Sequence, residues 1–224
     1  MKVKLAVIAA MGAAALVAQE GAPDHRLREA ASDLHEIMSA PDKGIPHSVL
    51  ERSQCVAVLP GVKKAAFVVG GEYGKGYAIC RHHGRWGSPA AIRLAGGSFG
   101  AQIGAESADI VLLIMNQSGM DKLASDKFTI GADASAAAGP VGRTASADTD
   151  VLMRAEILSY SRTRGAFAGV SLDGTSITKD EGEDRKIYGH DVSNKAVIMG
   201  EVHLPLHENP LAAELDHYAP GRKK

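Results

Sequence analysis

Between Gly61 and Gly104, eleven of 44 positions are glycine, and they fall inside apolar, strand-like runs rather than in one loop. Gln54–Leu59, Ala65–Glu72, Gly76–Arg81 and Ala90–Leu94 are such runs, separated by Pro60-Gly61, Gly74-Lys75 and His83-Gly84. Glycine within a strand marks a bulge, a tight bend or a close backbone approach, all of which a strongly curled sheet needs. Ile110–Met115 is six apolar residues in succession, the pattern of a strand buried on both faces. Ile157–Ser161 and Ala166–Leu172 continue the series around a turn at Arg162–Gly165. Strands and helices do not alternate regularly, which excludes a doubly wound parallel sheet. The expectation is an α+β fold: a curled, largely antiparallel β-sheet or partial barrel with a packed N-terminal amphipathic helix.

That helix is read over residues 24–40. Leu27, Ala31, Leu34 and Met38 recur at helical spacing, Arg26, Arg28, Glu29, Asp33 and Glu36 occupy the other face, and Pro41 ends it. Its mixed charge favours packing on the domain over lying on a membrane, since interfacial helices are rich in Lys and Arg. No internal repeat or linker divides the body, so residues 19–203 are read as one domain. Residues 204–224 contain Pro205, Pro210 and Pro220 and are read as a loosely attached tail.

Lys2 and Lys4 precede the charge-free run Leu5–Ala18, which is long enough for a secretory leader and short of the ~20 residues that span a bilayer. Residues 1–18 are therefore expected to be a signal peptide, and the protein to be exported, periplasmic or secreted, and peripheral to a membrane. An oxidising compartment permits a bridge between the two cysteines, Cys55 and Cys80. Both also sit in apolar runs where a free thiol packs well, and the choice depends on a Cα separation that sequence does not supply. With 25 basic and 26 acidic side chains, a polybasic nucleic-acid binder is excluded, and no nucleic-acid partner is expected.

Three motifs suggest chemistry. Gly96-Gly97-Ser98-Phe99-Gly100 matches the G-x-S-x-G pattern of a serine hydrolase, with Ser98 as nucleophile. That motif needs a strand before it and a helix after it, and Ala101-Gln102-Ile103-Gly104 has no helical period. Gly70-Gly71-Glu72-Tyr73-Gly74-Lys75-Gly76 is one residue short of a phosphate loop and has Gly76 where the magnesium-binding hydroxyl belongs, so it reads as a turn between strands. His82-His83 and His203 to His207 lack the spacing of a metal centre. No catalytic residue, metal or cofactor is assigned.

Several blocks, in order, resemble the SYLF domain family. They include Leu59-Pro60-Gly61-Val62-Lys63-Lys64-Ala65, Trp86-Gly87-Ser88-Pro89-Ala90, Gly96–Gly104, Gly131–Ser135, Ala138–Arg143, Leu158–Arg162 and Gly165–Gly174. The resemblance implies a non-enzymatic phospholipid-binding module, of a kind whose eukaryotic relatives bind phosphoinositides and associate with actin regulation. Lys63, Lys64, Arg81 and Arg143 are basic positions beside Gly or Pro turns, and are the candidate contacts to an anionic phospholipid surface. The alternative is a structural or protein-interaction module of the cell envelope; the serine hydrolase is the remaining one.

Overall fold

A computed structural model describes residues 23–40, 44–67, 69–99, 104–142, 154–163, 166–204 and 208–221. The leader expected over residues 1–18 lies outside them. Helix α1 (Pro23–Ser39) and the short α2 (His47–Arg52) lead into the strands β1 (Cys55–Phe67), β2 (Val69–His82), β3 (Arg85–Trp86), β4 (Ala90–Phe99) and β5 (Gly104–Ile114). Then follow α3 (Gln117–Leu123), β6 (Lys127–Thr129), β7 (Ala136–Ala138), β8 (Ile157–Thr163), β9 (Ala166–Gly169) and β10 (Ser176–Lys179). The chain closes with α4 (Glu181–Tyr188), α5 (Asn194–Ile198) and α6 (Pro210–Tyr218).

The strands form one sheet in the order β6-β10-β4-β2-β1-β5-β8-β7, with β3 added to β2 and β9 to β8. Pairing is antiparallel except between β7 and β8, and the sheet curls into a half-barrel. The α+β expectation holds.

The centre of the sheet is buried on both faces, which explains its continuous apolar runs. Along β1, Val56 and Val58 face a core shared with Leu27, Leu34 and Ile37 of α1 and with Leu211 and Leu215 of α6. Their neighbours Cys55, Ala57 and Leu59 face a second core with Met120 and Leu123 of α3 and Val197 and Ile198 of α5. All five β1 residues are fully buried, and successive side chains alternate between the two layers.

The glycines curl this sheet at a definite place. The register of β1 shifts between Val58 and Lys63 against β2, and between Leu59 and Val62 against β5. Gly61 sits in the shift at φ +56°, where a side chain would be strained, and its N–H donates to Asp109 Oδ1 at 2.9 Å. Opposite it, a Cβ on Gly76 would lie 2.1 Å from the Val58 carbonyl oxygen and 2.6 Å from Leu59 Cα. The two strands approach so closely there that only glycine fits.

The alternative left open for the cysteines resolves to the bridge. Cys55 and Cys80 are direct cross-strand partners, with Cα atoms 3.9 Å apart and a disulfide between them.

The expected loose tail is corrected for its helical part. The Asn209 side chain accepts a hydrogen bond from the Ala212 N–H at 3.1 Å and starts α6. Leu211, Ala212 and Leu215 are then buried in the core beneath α1. Pro210, in the first turn of α6, and Pro220, just past its end, bracket the helix without detaching it.

Candidate functional site

Lys63 and Lys64 lie on β1 just past the bulge, and as neighbours in a strand they point to opposite faces. Lys63 is exposed, beside Tyr73 of β2 and Ser107 of β5, and its Nζ donates to Ser107 Oγ at 3.2 Å. Lys64 is half-buried, with Nζ 3.3 Å from Glu72 Oε2. Glu72 also accepts a hydrogen bond from Thr175 Oγ1 at 2.6 Å. The Lys64 charge is therefore matched locally, whereas the described partner of Lys63 is a neutral hydroxyl.

Arg81 is not gathered with them. It lies eight residues from Tyr73 along β2, about 26 Å at the rise of a strand. Its guanidinium stacks 3.8 Å above the Trp86 ring. It donates to the Ala219 carbonyl at 2.7 Å, and Trp86 Nε1 donates to the same oxygen at 2.9 Å. These contacts hold the end of α6 against the sheet, a structural role that took a partner 138 residues later in the chain. Arg143 lies outside the described residues.

Ser98 occupies β4 and pairs in register with Gly70. It thus lies within an extended strand and not on a strand-to-helix turn, so the hydrolase reading loses the geometry that would present a nucleophile.

The surface around Lys63 has a shape that sequence reasoning missed. β10 pairs with β4 only over Ile92–Ala95, and β8 with β5 only over Asp109–Ile114. Beyond those points β4, β2, β1 and β5 continue as a four-stranded ribbon. Lys63, Tyr73, Ala95 and Ser107 form one cross-strand row at its base, and all four are exposed. Among the described residues Tyr73, 50% exposed, is the exposed large hydrophobic side chain. Further along, Gly71 and Gly97 are exposed partners, and a Cβ on Gly97 would meet nothing within 4 Å. This is the face that α1 covers over Tyr77 and Ile79; at the Lys63–Tyr73–Ala95–Ser107 row and at Gly71 and Gly97 the described residues leave it exposed. The signal in the sequence was a lone tyrosine flanked by glycines on a strand.

Other charged clusters fasten elements together. Lys75 Nζ lies 2.8 Å from Asp180 Oδ2, and Arg26 pairs with the buried Glu183 of α4. Arg162, read from sequence as a turn residue, gathers Asp33 (2.6 Å), Glu36 and Asp109 (2.9 Å), pinning the middle of α1 to β5 and β8. Burial, then the Asp109 charge, push the Asp33 carboxyl up to about 7 despite Arg162, with Glu36 and Glu29 adding to the rise. Because the folded value exceeds the ordinary 3.8, the folded state binds more protons between the two. This contribution to stability is complete below about 4 and is lost as pH rises through about 7. Urea unfolding of Asp33→Asn should show a shallower decline over that range than the parent. Arg162→Leu should cost about 2 kcal/mol, discounted from a fully buried pair because the cluster is partly solvated; an unchanged urea midpoint would show that the cluster does not hold α1.

A family model described as Ysc84, Las17-binding protein actin regulator, matches residues 95–218. SH3 domain-containing YSC84-like protein 1 of Xenopus laevis is 34% identical over 199 residues, covering 85% of this chain and 59% of the relative. Protein YSC84 of Saccharomyces cerevisiae is 32% identical over 182 residues, covering 80% of this chain and 39% of the relative. LAS seventeen-binding protein 3 of the same yeast has the same identity and coverage. The chain thus spans about two fifths to three fifths of the length of these relatives.

Proposed function

Because this chain belongs to the Ysc84 family, also called SYLF, we propose that it is a non-enzymatic module that docks on anionic phospholipid surfaces. One observation carries the reading: the exposed Lys63–Tyr73 row at the base of the four-stranded ribbon. A cation near an anionic leaflet contributes about 1 kcal/mol, and an exposed tyrosine beside it suits the boundary between water and lipid. Lys64 takes a smaller part, because Glu72 offsets its charge. The buried Cys55–Cys80 bridge supports an oxidising compartment, and with it export.

Cosedimentation with phosphatidylcholine vesicles carrying graded phosphatidylserine, at low and high salt, tests the proposal. Binding should rise with the anionic fraction and fall with salt. Lys63→Glu should weaken it about thirtyfold, since it removes one favourable charge and adds an unfavourable one. Arg81→Lys, about 26 Å away, should leave it unchanged. Binding indifferent to both variables, or none, would remove the lipid reading.

A second reading is a protein-interaction module, which the family's description as a Las17-binding actin regulator and the name LAS seventeen-binding protein 3 favour. Cosedimentation with filamentous actin under the same conditions separates the two: pelleting with filaments and not with vesicles selects this one.

A further inference from the structure

We infer that Ser39, the last residue of α1, is an activated nucleophile that takes the acyl group of an activated ester, once per chain. The inference goes beyond the membrane reading and does not depend on it. A single acyl transfer without turnover leaves the module non-enzymatic.

Four side chains from two helices carry it. His35 and Ser39 stand one turn apart on α1, and Glu214 and Tyr218 one turn apart on α6, so each pair shares a helical face. Ser39 Oγ lies 3.4 Å from His35 Nε2, and His35 Nδ1 lies 2.7 Å from Glu214 Oε1. Tyr218 Oη is 2.9 Å from Ser39 Oγ. A hydroxyl within reach of a base, with the base oriented by a third group, is the arrangement that activates a serine. The contact to the base is long, as such contacts are before substrate binds. Among the described residues, Ser39 is the serine or threonine whose hydroxyl touches an imidazole.

The partners fix the tautomer. A carboxylate only accepts, so His35 Nδ1 carries the hydrogen and Nε2 presents its lone pair to the Ser39 hydroxyl. Tyr218 then donates to Ser39 Oγ. His35 lies within about a turn of the C-terminus of α1, whose last carbonyls, with the Glu214 carboxylate, stabilise the imidazolium formed when Oγ yields its proton. The same carbonyls disfavour a tetrahedral oxyanion, so the site suits esters that already have a good leaving group and is not built for turnover. It is open to reagents: the His35 side chain is 57% exposed, and Ser39 is exposed.

In the transfer, Oγ attacks the ester carbonyl carbon and its proton passes to His35 Nε2. The carbonyl re-forms as the bond to the leaving oxygen breaks. That oxygen departs with the electron pair and takes the proton from His35, leaving an O-acyl serine and a free alcohol.

The full chain with p-nitrophenyl acetate tests this. A burst of p-nitrophenol equal to the protein concentration should precede slow background release. Peptide mapping should find the acetyl group on Ser39 and not on Ser32, an exposed serine of the same helix. Ser39→Ala should abolish the burst, and His35→Gln should slow it about a hundredfold. Glu214, a positioning residue that acts through His35, has its own signature. Glu214→Gln should slow the burst about tenfold and move its pH profile to lower pH, because the imidazolium loses its counter-charge; loss of a mere helix contact would leave that profile in place. Vesicle cosedimentation of Ser39→Ala should equal that of the parent, so this inference and the membrane reading fail separately. No burst from the wild-type protein, or a burst that survives Ser39→Ala, would overturn the inference. Repeated turnover that Ser39→Ala abolishes would overturn the single transfer.

Discussion

Gly76→Ala should destabilise the domain by about 3 kcal/mol or more, read as a lowered urea midpoint by circular dichroism. The added methyl would meet main-chain atoms of β1, the Val58 oxygen at 2.1 Å and Leu59 Cα at 2.6 Å. A flexible side chain can move aside, but here the obstacle is a strand buried on both faces and paired with β2 and β5. Relief requires β1 and β2 to separate at the bulge, and that would reposition the ribbon beyond it. Gly97→Ala is the control, because open space lies over that position; it should be nearly neutral. Equal stability of Gly76→Ala and the parent would mean that the close approach does not shape the sheet.

The second large effect concerns the bridge. Cys55→Ala/Cys80→Ala should cost about 3 kcal/mol, the chain-entropy value for a closed loop of this size, the two cysteines lying 25 positions apart. For a domain of this length that corresponds to a fall in Tm of roughly 10 °C. Both cysteines are buried among Ala57, Ala78 and Leu112, so a reductant should act slowly on the folded protein and readily once it unfolds. Calorimetry of the double variant measures the effect, and an unchanged Tm would show that the β1–β2 pairing persists in the unfolded chain.

The strands of the centre were legible because packing on both faces leaves uninterrupted apolar runs such as Ile110–Met115. Glycine density likewise signalled a curled sheet, since Gly61 and Gly76 mark where the curl is made. The α1 stripe of Leu27, Leu34 and Met38 was readable for the same reason. Helix α4 was not. Its sequence, Glu-Gly-Glu-Asp-Arg-Lys-Ile-Tyr, looks solvated, yet Glu183 and Asp184 are buried, Asp184 accepting hydrogen bonds from the Ala91 N–H (2.7 Å) and Asn194 Nδ2 (3.2 Å). Helix α6 was hidden behind prolines and depends on a core that only the folded chain supplies.

The candidate site divided for a similar reason. Sequence proximity grouped Lys63 with Lys64, although the period of a strand separates them, and Arg81 was claimed by a carbonyl at the far end of the chain. The row that now defines the site sets Tyr73 of the next strand and Ser107, 44 residues on, beside Lys63, and follows only from register.

Amide hydrogen exchange, with and without phosphatidylcholine/phosphatidylserine vesicles, tests most directly the proposed docking of the ribbon on lipid. Slowed exchange confined to residues 63–73 and 95–107, with 81–86 and α6 unaltered, is the predicted result. Slowing on α1 or α6 with the ribbon unchanged would contradict it and move the contact to the helical face.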